Sequence, residues 1–89
     1  MTNMALITGA SSGIGKELAR YHAAKGGDLI LTARREAELN ALKVELVERQ
    51  GVAVHVFPAD IGAGDGAMEL YRSLKSAGLR VDILINNAG

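Results

Sequence analysis

The 89-residue chain alternates two kinds of hydrophobic pattern, and this alternation limits its fold more than any other feature. Short apolar runs are separated by longer segments in which apolar residues recur at helical spacing. The runs occupy residues 4–8, 29–33, 52–57 and 81–85, and the helical segments occupy about 13–25, 35–50 and 64–77. Strands that alternate with helices form parallel sheets, and apolar runs are typical of strands covered on both faces. The sequence therefore predicts the α/β class, as a doubly wound parallel sheet in the order β-α-β-α-β-α-β.

The balance of charges and the absence of cysteine exclude several kinds of partner and site. Ten basic residues match ten acidic ones, so the chain has no general attraction for nucleic acid. Without cysteine there is no disulfide, no thiolate metal ligand and no cysteine nucleophile, and we predict no metal site. The first residues lack the pattern of a signal peptide, and no apolar run approaches the roughly 18 residues that span a bilayer. We therefore expect a cytoplasmic protein that binds a small molecule rather than nucleic acid or membrane.

A glycine-rich turn, Thr8–Gly15, follows the first apolar run. Its glycines allow a tight turn and let a diphosphate approach the main chain, where the next helix offers N–H groups and a positive dipole end. Gly15 would also allow that helix to pack closely on the strand. The turn is not a P-loop, because a P-loop would need glycine at position 10 and serine or threonine at position 17, where this chain has Ala10 and Glu17. It also lacks the simple Gly-x-Gly-x-x-Gly spacing. A glycine-rich connector that binds no ligand is the alternative.

Two motifs together resemble the signatures of the short-chain dehydrogenase/reductase family. They are Thr-Gly-x-x-x-Gly-x-Gly at residues 8–15 and Asn-Asn-Ala-Gly at residues 86–89. The resemblance covers the whole chain and implies a Rossmann-like sheet of strand order 3-2-1-4, truncated after the fourth strand, with both motifs beside the crevice where nucleotides bind. It implies that Asn86 ties neighbouring strands together through its amide. The cofactor-binding residues that it implies at the two motifs are Gly9, Ser11, Ser12, Gly13, Ile14, Gly15, Asn87, Ala88 and Gly89.

The end of the second apolar run indicates which nucleotide is bound. A NAD-binding protein places an acidic residue about 20 residues beyond the glycine turn. Ala33 holds that place here, and Arg34 and Arg35 follow it. A carboxylate there would repel a 2′-phosphate, whereas arginine attracts it and binds two of its oxygens at once. We therefore predict NADP as the cofactor, with Arg34 and Arg35 as phosphate ligands; the alternative is that both are solvated charges at a helix start.

Asp60 and Ile61 follow the third apolar run and Pro58. The resemblance implies that the aspartate binds the adenine amino group, with the backbone of the next residue nearby. The alternative is an aspartate that stabilises a turn or caps a helix. A further residue, His22, lies where the family has an aliphatic residue facing the sheet, and we expect it to be packed and hydrogen-bonded rather than catalytic.

The resemblance implies a parent enzyme, an NADP-dependent oxidoreductase that acts on a carbonyl or alcohol substrate and forms homo-oligomers. Its catalytic serine and Tyr-x-x-x-Lys follow the second signature, so we predict no catalytic residue in this chain. Tyr71 and Lys75 have the required spacing but precede the fourth strand, and we interpret the match as chance. Residues 1–89 would then be the N-terminal, dinucleotide-binding part of one Rossmann-like domain, inactive alone and with an open sheet edge at residues 83–85. A non-catalytic dinucleotide-binding or regulatory module and a remnant without function are the alternatives.

Overall fold

Four parallel strands and three helices follow each other in strict alternation in a computed structural model that describes residues 3–62 and 64–87. The strands pair in the order β3-β2-β1-β4. The predicted fold class and strand order are therefore confirmed. The elements are β1 (Met4–Thr8), α1 (Gly13–Ala24), β2 (Asp28–Thr32), α2 (Glu36–Gln50), β3 (Val54–Val56), α3 (Gly66–Ser76) and β4 (Ile83–Ile85).

The two faces of the sheet are covered by different helices, because successive side chains of a strand point to opposite faces. One face, which we call the α1/α2 face, includes Ala5 and Ile7 of β1 and packs on buried residues of both helices. The other, the α3 face, includes Met4 and Leu6 and packs on Leu70 and Leu74. The fold is therefore doubly wound, with two helices on one face and one on the other.

Side chains shorten two of the predicted strands. Asp82, just before β4, bonds to both backbone groups of Met4, which a longer β4 would otherwise use. Its Oδ2 accepts from the Met4 N–H at 2.9 Å, and its own N–H donates to the Met4 carbonyl at 2.9 Å. Similarly, the Ala53 N–H donates to Oδ1 of Asp28 at 2.9 Å, so β3 begins after it. The strands predicted from residues 81 and 52 therefore begin two residues later in each case.

The helices end and begin close to where the sequence predicts. Gly51 adopts the left-handed conformation, with φ of 66°, and ends α2 as expected. Helix α3 begins at Gly66 rather than at residue 64, because Gly64 has φ of 48° and cannot lie in a right-handed helix. His22 is buried, and its Nε2 lies 2.8 Å from the Asn3 carbonyl oxygen, which confirms the expectation of a packed, hydrogen-bonded histidine.

None of the helices in residues 3–62 and 64–87 is both long enough and apolar enough to cross a membrane.

Candidate functional site

The carboxyl ends of all four strands meet at one edge of the sheet. Thr8 and Thr32 are register partners at the ends of β1 and β2, and the Ala10 N–H donates to the Thr32 carbonyl at 3.1 Å. The Ala59 N–H donates to the Ala33 carbonyl at 3.0 Å and so holds the segment after β3 beside the end of β2. Along this edge the predicted site residues follow strand order: Asp60, then the two arginines, then the glycine turn, then Asn87.

Ser12 stabilises the glycine turn with its hydroxyl group. The hydroxyl donates its proton to the Gly9 carbonyl at 2.9 Å, accepts from the Gly15 N–H at 3.0 Å and accepts from Nδ2 of Asn87 at 2.9 Å. It is the N-cap of α1, a position that serine favours. Its single hydroxyl proton is thus used within the turn, and the predicted cofactor contact at Ser12 remains a prediction.

The three glycines of the turn differ in whether the fold itself requires them. Gly9 has φ of 63°, a conformation that favours glycine. At Gly15 a Cβ would overlap the carbonyl oxygen of Gly9 and lie 2.9 Å from Cα of Ala10, so only glycine allows α1 to pack this closely on the turn. At Gly13, by contrast, φ is not positive and a Cβ would have no neighbour within 4 Å. The fold itself therefore gives no reason for glycine at position 13.

The start of α1 has free donors beside Gly13. A helix leaves its first N–H groups without intrahelical acceptors. Ser12 accepts from that of Gly15, and the N–H groups of Gly13 and Ile14 belong to exposed residues. With the positive end of the helix dipole, these two groups make the start of α1 suitable for an anion.

Hydrogen bonds join the two sequence motifs directly. Thr8 Oγ1 donates to Oδ1 of Asn86 at 3.0 Å and accepts from the Asn87 N–H at 2.8 Å. Nδ2 of Asn87 also donates to the Gly9 carbonyl at 3.3 Å. The expectation that Asn86 ties neighbouring strands together is confirmed, whereas sequence reasoning missed the role of Thr8, whose only signal was a hydroxyl at the end of a buried strand. Ala88 and Gly89 lie outside the described residues.

The two arginines after β2 differ in their surroundings. Both are exposed, whereas the preceding Ala33 is buried. Arg35 immediately precedes α2, and its Nη1 lies 3.8 Å from Oε1 of Glu38. None of the ion pairs among residues 3–62 and 64–87 includes Arg34. The edge of the sheet next to the glycine turn therefore carries exposed positive charge and no carboxylate at position 33.

Asp60 has a structural role in the loop after β3. Its Oδ1 accepts from the Gly62 N–H at 3.1 Å, which is the turn-stabilising pattern of aspartate. The side chain of Ile61 packs against the buried cluster of the α3 face. The turn interpretation of Asp60 is thus supported, and the predicted adenine contacts of Asp60 and Ile61 remain predictions.

Comparison with known proteins identifies the family. Residues 3–89 match the sequence profile described as short chain dehydrogenase. The chain belongs to the short-chain dehydrogenase family. It is 43% identical over 89 residues to sulfoacetaldehyde reductase 2 of Chromohalobacter salexigens, a match that covers 100% of this chain and 34% of that protein.

Two solved structures illustrate that the fold is shared with known proteins. A short-chain dehydrogenase from Sphingobium yanoikuyae in complex with NADPH gives a TM-score of 0.87 at 42% identity, covering 98% of this chain and 34% of that one. L-sorbose reductase from Gluconobacter frateurii, complexed with NADPH and L-sorbose, gives a TM-score of 0.92 at 36% identity, covering 99% and 34%. The chain thus spans about a third of the length of the relatives that it matches.

An ion-pair network holds helix α1, which follows the glycine turn, against helix α2. Arg20 of α1 donates to both carboxylate oxygens of Glu45 on α2, from Nε at 2.7 Å and from Nη2 at 3.0 Å, and also pairs with Glu17. The hydrogen bonds from Arg20 hold the pKa of Glu45 below its ordinary value of 4.5, and the two carboxylates raise the pKa of Arg20. The network fixes α1, whose first turn faces the candidate anion site, against α2.

The Tyr71–Lys75 pair lies on the α3 face and not at the carboxyl ends of the strands. The Lys75 ammonium is 6.0 Å from the centre of the Tyr71 ring. Both residues line an apolar groove of about 490 Å³ on the α3 face, together with Leu6, Leu74 and Leu84, and no predicted cofactor residue lines that groove. This location supports the interpretation of the Tyr-x-x-x-Lys spacing as chance.

Proposed function

We propose that this chain is the N-terminal, nucleotide-binding part of one Rossmann-like domain in an NADP-dependent oxidoreductase that acts on a carbonyl or alcohol substrate. The observation that carries the proposal is Gly13. The chain needs glycine at positions 9 and 15 for its own folding, but the space beside Gly13 is open and lies next to the free N–H groups of α1. A diphosphate that approaches the main chain supplies the missing reason for that glycine.

The order of groups along the sheet edge suits an extended dinucleotide. In the proposed arrangement, Asp60 and Ile61 lie at the adenine, Arg34 and Arg35 at the 2′-phosphate, residues 9 and 11–15 at the diphosphate and residues 87–89 at the ribose nearest the nicotinamide. The bound nicotinamide supplies the hydride chemistry, and this chain's residues bind and orient it. We assign no catalytic role to any residue of the chain, and we expect the groups that hold substrate and move its proton to come from the rest of the parent protein.

The preference for NADP rests on charge. Arg34 and Arg35 are exposed, and Ala33 provides no carboxylate for a ribose 2′-hydroxyl. An arginine that forms charge-assisted hydrogen bonds to a phosphate contributes about 1.5–3 kcal/mol. The short-chain dehydrogenase of Sphingobium yanoikuyae and the L-sorbose reductase, both similar to this chain, have NADPH bound in their structures, which supports the same choice here.

Replacing Gly13 tests the diphosphate site. Because a Cβ at this position meets nothing in the protein, Gly13→Ala should leave the melting temperature within about 2 °C of the wild type. The same methyl group would obstruct the diphosphate, so we expect the Kd for NADPH, measured by titration, to rise at least about tenfold, or about 1.4 kcal/mol. An unchanged Kd would show that no diphosphate lies against Gly13.

Replacing Arg34 tests the nucleotide preference. Arg34→Ala should weaken NADPH binding about ten- to 100-fold and leave NADH binding within about twofold, because only NADPH carries the 2′-phosphate. Arg72→Ala removes another exposed arginine, on α3, and is the matched control for net charge. Equal losses for both nucleotides, or from both variants, would contradict the assignment. Reductase activity of the 89-residue chain alone would contradict the proposal that it contains only the binding part.

A further inference from the structure

The carboxylate of Glu38, in the first turn of α2, has an unusual environment. Oε1 lies 3.8 Å from Nη1 of Arg35, while Oε2 is buried and has no hydrogen-bond partner. Among the described residues that are not exposed, no other buried side-chain oxygen or nitrogen lacks a partner. The Glu38 side chain is 38% exposed and that of Arg35 is 77% exposed. A carboxylate therefore lies within 3.8 Å of one of the two arginines that we assign to the 2′-phosphate.

We propose that Glu38 is a specificity-determining residue, which holds the Arg35 guanidinium as a counter-ion until a 2′-phosphate displaces it. The inference rests on the proposed function, since it requires the phosphate to bind beside Arg34 and Arg35. Glu38 then lowers the affinity for NADPH and not for NADH, because only NADPH competes with it for Arg35.

The geometry suits such an exchange. A single contact of 3.8 Å between a largely exposed arginine and a partly exposed glutamate is weak and easily broken. A phosphate offers arginine shorter, charge-assisted and frequently bidentate hydrogen bonds. After displacement, the negative charge of Glu38 stays in the same helical turn and repels the phosphate. Glu38 thus opposes phosphate binding in two ways, by occupying Arg35 and by its own charge.

The two arginines therefore have different roles. Arg34 belongs to none of the ion pairs in the described ranges, so it meets a phosphate with its charge uncompensated. Arg35 must first leave Glu38. Arg34 accordingly provides most of the phosphate affinity, and the Arg35–Glu38 pair adjusts how strongly NADPH is preferred over NADH.

Glu36 provides a matched control for the experiment. It lies in the same first turn of α2, carries the same charge and is exposed, and the ion pair of Arg35 is with Glu38. Glu38→Gln and Glu36→Gln each remove one negative charge from this helix end. We expect Glu38→Gln to tighten NADPH binding about two- to fivefold and to change NADH binding by less than about 1.5-fold, with a smaller NADPH effect from Glu36→Gln.

A double-mutant cycle separates the two effects of Glu38. In the Arg35→Ala background the gain from Glu38→Gln should fall to that of Glu36→Gln, because no guanidinium is left to release. Without nucleotide, Glu38→Gln should also shift the guanidinium ¹⁵N resonance of Arg35, and Glu36→Gln should not. Equal effects of the two glutamine variants on NADPH, or no effect of Glu38→Gln, would overturn the proposal.

Arg34→Ala distinguishes failure of this inference from failure of the proposed function. If Arg34→Ala weakens NADPH selectively while Glu38→Gln is neutral, the role of Glu38 is wrong and the phosphate site stands. If the wild type shows no preference for NADPH, or Arg34→Ala has no effect, both proposals fail. Thermal melting of each variant verifies that the compared proteins are folded.

Discussion

The two faces of the sheet differ in how completely the chain covers them. On the α1/α2 face, Leu31 of β2 is fully buried, and Ile85 of β4 packs against the same cluster. On the α3 face, Leu6 of β1 is 7% exposed, but its register partner Leu84 of β4 is 63% exposed. The helix that presents its N-terminus at the candidate nucleotide site thus rests on the better covered face. Ile83 of β4, the register partner of Ala5 on the α1/α2 face, is 39% exposed, so β4 is only partly covered there and is less covered on the α3 face.

The largest loss of stability should come from the closest contact on the α1/α2 face. Gly15→Ala would place a methyl group against the Gly9 carbonyl and the Ala10 Cα. Both are backbone atoms, so no side-chain rotation can relieve the overlap. We expect the free energy of unfolding to fall by about 3 kcal/mol or more, a large share of the total for a small domain. Denaturant unfolding measures this loss, and Gly13→Ala is the control in the same turn. A Gly15→Ala variant as stable as Gly13→Ala would show that α1 lies farther from the turn.

A pair of leucine truncations compares the two faces directly. Leu31→Ala removes fully buried side-chain atoms and should cost about 2–5 kcal/mol of unfolding free energy. Leu84→Ala removes a largely exposed side chain and should cost about 0.5 kcal/mol or less. If Leu84→Ala proves as costly as Leu31→Ala, the α3 face is covered in solution by another chain, which sedimentation would detect.

Replacing Asn87 should cause an intermediate loss of stability, because this residue joins the two motifs at the carboxyl ends of the strands. Asn87→Ala removes the hydrogen bonds from Nδ2 to Gly9 and Ser12. We expect a loss of about 1–2 kcal/mol, measured by thermal or chemical unfolding. Asn40→Ala, at an exposed position of α2, should change stability by no more than about 0.5 kcal/mol. A loss no larger than that of Asn40→Ala would mean that the turn keeps its form without Asn87.

Among the substitutions that remove a polar interaction, the smallest loss of stability is expected at the Arg20–Glu45 pair between the two helices of the α1/α2 face. Since the folded pKa of Glu45 lies below its ordinary value of 4.5, its contribution is fully present above about pH 4.5 and is lost as the pH falls through the folded pKa. Both side chains are partly exposed, so we expect Arg20→Gln to cost only about 0.5–1 kcal/mol near neutral pH. The difference from the wild type should shrink in acid. A difference independent of pH would assign the loss to packing rather than to charge.

The fold was predictable because its signals lie within short segments of sequence. Apolar runs, helical spacing and the glycine at residue 51 indicated the order of the elements and most of their ends. The late starts of β4 and β3 were missed because a side chain replaces backbone pairing, as Asp82 does at Met4 and Asp28 does at Ala53. Such substitutions depend on which strands become neighbours, and no local pattern contains that information.

The candidate site was predictable as a set of motifs but not as a set of contacts. The positions of the glycines and arginines are visible in the sequence. The hydrogen bond between Ser12 and Asn87 joins residues 75 positions apart, and the closeness of Glu38 to Arg35 depends on the side-chain conformations at a helix start. The assignment of Ser12 to the cofactor stays a prediction, and sequence reasoning missed the hydrogen bonds of its hydroxyl within the turn.

The Gly9 carbonyl has a consequence for the thermodynamics of binding. Three donors converge on its oxygen: the Ser12 N–H at 3.1 Å, the Ser12 hydroxyl at 2.9 Å and Nδ2 of Asn87 at 3.3 Å. A peptide plane held by three donors cannot rotate without breaking all of them, so the turn is preorganised before any ligand arrives. Ordering of this loop then adds little entropic cost to association. Hydrogen exchange of the Ser12 N–H, which already donates to this carbonyl, should accordingly change little when a nucleotide binds.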